Sequence, residues 1–197
     1  CEYSRAEELF QECLSRLRAE QDQGLRVHVL AGLAEIYLAR GMEEAAEDAL
    51  LEAEELTTNG AGQENLIHLR GLRMRLCRQR GDLQESIELA RDEPGDEAGR
   101  YGTANLDLEL GAAYRDLGPD WADKTEKYLT RAAGEFENMG CPVEAAEALG
   151  ELSVYWRLTG EEETAAEKLQ HAEKLLSSGQ LKPRLSRFTE IFKARSQ

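Results

Sequence analysis

The sequence predicts an all-α protein made of stacked helix hairpins, and three observations predict it. Ala, Leu and Glu abound, β-branched residues are few and Pro numbers only 4 among 197 residues, a composition that favours helices over strands. Apolar and small residues recur at three- and four-residue spacing, the period of an amphipathic helix. The pattern then returns around Gly41, Gly81, Gly118 and Gly160, which stand 40, 37 and 42 residues apart. A near-constant period of this length marks an array in which each helical unit buries its face against the next.

Taken in order, the chain opens on "YSRAEELFQEC", where Ala6, Leu9, Phe10 and Cys13 share one helical face. This reads as the second helix of a hairpin, so residues 1–22 form a partial unit and the chain is expected to be a fragment of a larger protein. The unit over 23–60 sets the frame: Leu30, Leu33, Ala34 and Tyr37 before Gly41, then Ala46, Leu50 and Ala53 after it. Small residues such as Ala34 and Ala46 let two helix backbones approach, Tyr37 fills the groove beside them, and Gly41 takes the left-handed conformation that ends the first helix. The glutamates between Glu43 and Glu55 read as a solvated outer face.

The unit over 61–96 departs from the frame, because Arg70 and Arg73 stand where the other units are apolar. Either these positions are tolerated, or Leu69, Leu72 and Leu76 face the core and the helix turns by one residue. "DEPGDEAG", residues 92–99, reads as a linker or hinge and lacks the carboxylate ladder of a calcium loop. In the unit over 97–139, Leu110, Gly111 and Tyr114 fit and Asp107 does not, while Thr125, Leu129 and Ala132 fall into place if "GPDWADK" carries a two-residue insertion. The unit over 140–179 repeats the frame closely through Leu149, Leu152, Ser153 and Trp156, then Ala165, Leu169 and Ala172. Residues 180–197 hold a last amphipathic helix, Leu181, Leu185, Phe188, Ile191 and Phe192, which is either a cap or the start of a truncated unit.

Charge and chemistry narrow the function. With 39 acidic against 24 basic residues the net charge is -15, which repels nucleic-acid phosphates and anionic lipid. No stretch approaches the roughly 18 apolar residues of a membrane span, and no signal-peptide layout opens the chain, so a cytoplasmic location is expected. Cys1, Cys13, Cys77 and Cys141 form no CxxC pair, and His28, His68 and His171 have no metal-ligand spacing with them. Reduced, structural cysteines, no metal and no cofactor are the expectation. No nucleophile elbow, phosphate loop or zinc-protease motif occurs, so no enzyme is expected.

The small residue seven before each Gly, the aromatic four before it and the alanines five and twelve after it resemble the tetratricopeptide repeat. Its usual unit is about 34 residues; this chain has longer units and lacks the closing Pro. "FENMGCPVEAAEALGELSVYWRLTGE", residues 136–161, is similar to the long repeats of large bacterial LuxR-type ATP-binding regulators. The resemblance implies a right-handed superhelix of antiparallel hairpins, a tetratricopeptide-like α-solenoid, with a concave groove lined by the first helix of each unit. It also implies that positions thirteen, ten, six and three before each Gly face that groove. Thirteen before are His28, His68, Asn105 and Glu147; six before are Glu35, Arg75, Ala112 and Val154; three before are Leu38, Arg78, Arg115 and Arg157.

The arginine row admits two readings. It either orients an acidic or extended partner, through a planar fork of donors suited to carboxylates and backbone carbonyls, or each Arg pairs with a glutamate of the next helix. The expected function is a protein- or peptide-binding scaffold, with Leu38 and Val154 supplying apolar area. The alternatives are a sensing or oligomerising segment of a multidomain bacterial transcriptional regulator, and a structural spacer that self-associates.

Overall fold

The computed structural model describes residues 2–17, 21–62, 65–90 and 99–178. Every regular element among them is helical. The C-terminal helix read over 180–197, residues 92–98 of the linker and Cys1 lie outside the described residues. The chain divides into two compact units, Cys1–Gly102 and Thr103–Gln197.

The first unit contains α1 (Glu2–Arg16), α2 (Gln23–Ala39), α3 (Glu43–Thr58), α4 (Leu66–Arg80) and the short α5 (Leu83–Leu89). α2 packs on α1, α3 and α4, and α4 packs in turn on α3 and α5. Val27, Leu30, Ala34 and Leu38 of α2 close on Ala46, Leu50 and Ala53 of α3 and on Leu69, Leu72 and Leu76 of α4. The second of the two readings of α4 therefore holds: the three leucines are core and the helix is turned by one residue. Fully burying a leucine such as Leu50 contributes ~1.5 to 3 kcal/mol. At Gly32 a Cβ would stand 2.8 Å from Cζ of Phe10, so glycine there is what lets α1 lie against α2.

The second unit holds most of α6 (Gly99–Leu117), a 3-10 turn at Pro119–Trp121, α7 (Ala122–Asn138), α8 (Pro142–Leu158) and α9 (Glu162–Ser178). Its core gathers Leu108 of α6, Leu129 and Phe136 of α7, Leu149 and Leu152 of α8 and Leu176 of α9 around a set of alanines. At Gly111 a Cβ would meet the Leu129 side chain at 2.7 Å, and the α6–α7 approach depends on its absence.

The turns explain why glycine sets the period. After α2, α4 and α8 the chain closes with the same pair of backbone bonds: Met42 N–H to Tyr37 carbonyl at 2.9 Å, Asp82 to Cys77 at 2.8 Å and Glu161 to Trp156 at 2.8 Å, each spanning a glycine of positive φ. This is the Schellman closure, which needs one left-handed residue. Gly118 differs, with φ 110° and ψ -174°, because Pro119, Asp120 and Trp121 form an extra turn before α7. That turn is the insertion expected from "GPDWADK".

The positions seven before and five after the glycine meet across two of the hairpins. Ser153 Oγ donates to the Ala165 carbonyl at 2.7 Å, and in the α4–α5 hairpin Ser86 Oγ donates to the Met74 carbonyl at 3.0 Å. The hydroxyl thus crosses the same contact from opposite sides. Two of the polar residues that broke the apolar frame, Asp107 and Arg73, are neutralised in place. Asp107, 4% exposed, takes a two-pronged hydrogen bond from Arg131. Arg73 donates to both Glu54 oxygens, at 3.1 and 2.7 Å. The aromatic positions are occupied unequally: Tyr114 is buried, Tyr37 and Trp156 are half-buried, and Tyr155 beside Trp156 is the more covered of that pair.

Candidate functional site

The residues of the first unit that the resemblance directs toward a groove fall in two rows, one on α2 and one on α4. Spacings of seven residues put His28 and Glu35 on one face of α2 and His68 and Arg75 on one face of α4, with Leu38 and Arg78 three residues further along each helix. The structure brings four of these six together. The His68 imidazole lies within the electrostatic reach of Glu35 and His28 across the helix pair and of Arg75 on its own helix. Its pKa is lowered, first by burial and then by Arg75 and His28, against which Glu35 acts in the opposite direction. Burial disfavours the imidazolium, and the neighbouring Arg75 guanidinium adds to that penalty.

His28 is exposed, and its Nδ1 stands 3.4 Å from Oδ1 of Asn65, the residue that precedes α4. Glu35 and His68 are half-buried and Arg75 is largely covered. Leu38 does not belong with them. It is 1% exposed and sits in the core, so it offers no apolar area to a partner. Arg78 is half-buried in the last turn of α4.

One residue of this face escaped the sequence reading. Gly71 lies three residues after His68 and four before Arg75, so it shares their face. It is buried in the sense that water reaches little of it, yet a Cβ added there would meet no atom within 4 Å. Gly32 and Gly111 are small because a neighbour presses on them. At Gly71 no such neighbour presses within 4 Å. Gly71 stands ten before Gly81, at a position that the resemblance directs toward the groove.

Asn105 on α6 and Glu147 on α8 are half-buried, and Val154 is buried. Arg115 is enclosed: it donates to Oδ1 of Asp116 at 3.0 and 2.8 Å and to Glu151 on α8, with 3% of its side chain exposed. Its charge is used within the fold. Arg157 is more open and pairs with Glu162 at 3.3 Å. For Arg115 and Arg157, the pairing reading of the arginine row describes the geometry, and Val154, like Leu38, serves the core rather than a surface.

A feature that periodicity did not signal is an aromatic stack at the start of α7. Tyr114 stacks on Trp121 at 5.2 Å and on Tyr128 at 5.8 Å. Lys124 Nζ lies 4.7 Å from the Tyr114 ring and 4.6 Å from the Trp121 ring and donates to the Tyr114 hydroxyl at 3.3 Å. Such cation–π contacts on stacked rings lock the inserted turn to α6. Among the described residues no group of three His, Cys, Asp or Glu is arranged to hold a metal ion, and no helix is long and apolar enough to cross a membrane.

No family model matches the chain, and no curated protein matches it. Among solved structures it is similar to the crystal structure of BtubC (BKLC) from P. vanneervenii. The two share 19% identity and a TM-score of 0.54 over 90% of this chain and 74% of that one. At that identity the likeness concerns the fold alone: an all-helical arrangement of this kind exists as an experimentally determined structure.

Proposed function

We propose that the chain is a protein- or peptide-binding scaffold of the tetratricopeptide-repeat type, whose hairpins continue one another as a right-handed superhelix and whose partners engage the face built from first helices. One observation carries the reading. His28 and Glu35 of α2 act electrostatically on His68 of α4, as Arg75 of the same helix does, so residues 33 and 40 positions apart in sequence meet at one imidazole. A face that collects buried and half-buried charges has the specificity of a binding surface, because desolvated charge pairs select their partners more sharply than exposed ones.

The experiment captures partners with the full chain and then maps them. His28→Asp and Glu35→Lys reverse the chemistry of this face at positions that retain solvent contact. Asp48→Lys and Glu55→Lys make matched changes on the exposed face of α3. Partners of the proposed face should lose about tenfold or more in affinity with the first pair, the worth of one charge-assisted hydrogen bond, and little with the second. Loss confined to the α3 pair, or capture of no saturable partner, rejects the reading.

A further inference from the structure

We propose that α1 carries a docking face for residues 181–197 of a second copy of this chain, so that copies join head to tail and each contact completes one helix hairpin. This goes beyond the scaffold reading, because it concerns α1 and the C-terminal segment rather than the face built from first helices.

The face is visible as an exception in the packing. Second helices elsewhere seal their three core positions: Ala46, Leu50 and Ala53 of α3 and Thr125, Leu129 and Ala132 of α7 are all 0% exposed. Their counterparts Ala6, Phe10 and Cys13 are half-buried, and α1 is the one α-helix among the described residues that has no buried residue. α3 lies between α2 and α4, and α7 between α6 and α8. Among the described residues the helix packed on α1 is α2, through Phe10 against Gly32, the Arg40–Glu7 pair and Gln11 Nε2 donating to the Tyr37 hydroxyl at 3.2 Å. α2 is the first helix of the following unit. The side that a second helix turns toward the first helix of its own hairpin therefore stays open, and Leu9 marks it. Leu9 stands three residues after Ala6, as Tyr128 stands three after Thr125. Tyr128 stacks on Tyr114, the aromatic of its own first helix, at 5.8 Å, whereas Leu9 is 50% exposed. A repeat buries its apolar stripe against neighbours on both sides, and α1 has one of the two.

The occupant has to carry the pattern of a first helix. Residues 181–197 lie outside the described residues, and their sequence repeats that pattern with Ser196 in the place of the turn glycine. Leu185, Phe188, Thr189, Ile191 and Phe192 stand eleven, eight, seven, five and four before it, where Leu149, Leu152, Ser153, Tyr155 and Trp156 stand before Gly160. In the docked arrangement Thr189 meets Ala6, as Ser153 meets the Ala165 backbone, and Phe192 covers Leu9, as Tyr114 covers Tyr128.

Charge selects the same pairing. In a chain of net charge -15, residues 181–197 hold five lysines and arginines against Glu190, while α1 holds four glutamates against Arg5 and Arg16. Those two arginines are exposed and pair with Glu8 and Glu12 one turn away on their own helix. Such pairs contribute little in water, so they yield readily to an incoming cation. The contact uses a different surface on each copy, and it therefore builds open filaments or rings rather than two-fold dimers.

The test is light scattering on the full chain over a range of concentrations. The mass should climb from 22.0 kDa to beyond twice that value, and added sodium chloride should oppose the climb. Leu9→Glu and Phe192→Glu should each raise the dissociation constant at least tenfold. Mixed one to one, the two variants should form a heterodimer and stop there, because the intact C-terminal segment of the first still fits the intact α1 of the second. Circular dichroism melts establish that the variants are folded, and the wild-type climb stands without them. A mass fixed at 22.0 kDa up to about 100 µM, two orders above a micromolar dissociation constant, overturns the proposal. So does a closed dimer that Phe192→Glu leaves intact, which would pair α1 with α1, and so does a mixture that stays monomeric. If the chain stays monomeric while captured partners depend on His28 and Glu35, this proposal falls and the scaffold reading stands; if it self-associates as described and captures nothing, the reverse holds.

Discussion

At Thr125 a hydroxyl is sealed at 0% exposure with no hydrogen-bond partner for Oγ1. A buried, unpaired hydroxyl costs about 1 to 3 kcal/mol of desolvation. Thr125→Val exchanges it for a methyl of the same shape and should raise stability by about 1 kcal/mol in urea denaturation; a loss of stability would reveal a partner for the oxygen. Tyr114 tests the opposite case. It is 7% exposed and bridges Trp121 and Tyr128, so Tyr114→Ala should cost ~3 to 5 kcal/mol, and an unchanged midpoint would refute its structural role. Residues of this kind were partly legible in advance. The small positions at Gly111 and Ser153 and the aromatic at Tyr114 follow from the repeat frame. Asp107 was visible only as a misfit, because its partner Arg131 lies 24 residues away and local periodicity cannot find it.

Between elements, charge pairing was the part least open to sequence reading. The acidic stretch from Glu43 to Glu55 was expected to be solvated, and Asp48 and Glu55 are exposed. Glu47 and Glu54 instead face α4, where Arg73 and Arg80 hold them. The one-residue turn of α4 that makes leucines 69, 72 and 76 core also swings Arg73 toward α3, so the register and the ion pairs are one event. Arg80 hydrogen-bonds the Glu47 carboxylate, and with Arg73 nearby the pKa of Glu47 falls below its ordinary 4.5 against the opposing effect of desolvation. A depressed carboxylate contributes stability that is present above the unfolded value and disappears as pH falls through the folded one. The urea midpoint of Glu47→Gln should therefore lie below wild type at pH 7, and the gap should close below about pH 4. A gap that persists at pH 3 would mean that the pair matters through packing rather than charge. The hairpins themselves, with their glycine turns and the insertion after Gly118, were legible because helix period and turn chemistry are local properties.

On the scale of the whole molecule, the sequence yields the helical class and the recurrence, and the linker or hinge read at residues 92–99 lies a few residues before the division into Cys1–Gly102 and Thr103–Gln197, which itself falls inside α6. Cys13, Cys77 and Cys141 are free thiols, and burial pushes Cys77 and Cys141 above the ordinary thiol range, which lowers their reactivity. Dithiothreitol and EDTA should each leave the melting temperature within a degree or so, as expected of a fold without covalent or metal staples; a fall of several degrees with either reagent would contradict this.

The aromatic stack carries a spectroscopic consequence. Trp121 and Trp156 are the chain's two tryptophans, and both belong to the unit that begins at Thr103. Excitation at the red edge of the indole band therefore reports on that half of the chain alone, while far-ultraviolet ellipticity sums over every helix. If the two signals trace one denaturation curve, the halves unfold as a single cooperative body; if they separate, the fluorescence curve isolates the stability of the second half without cutting the chain.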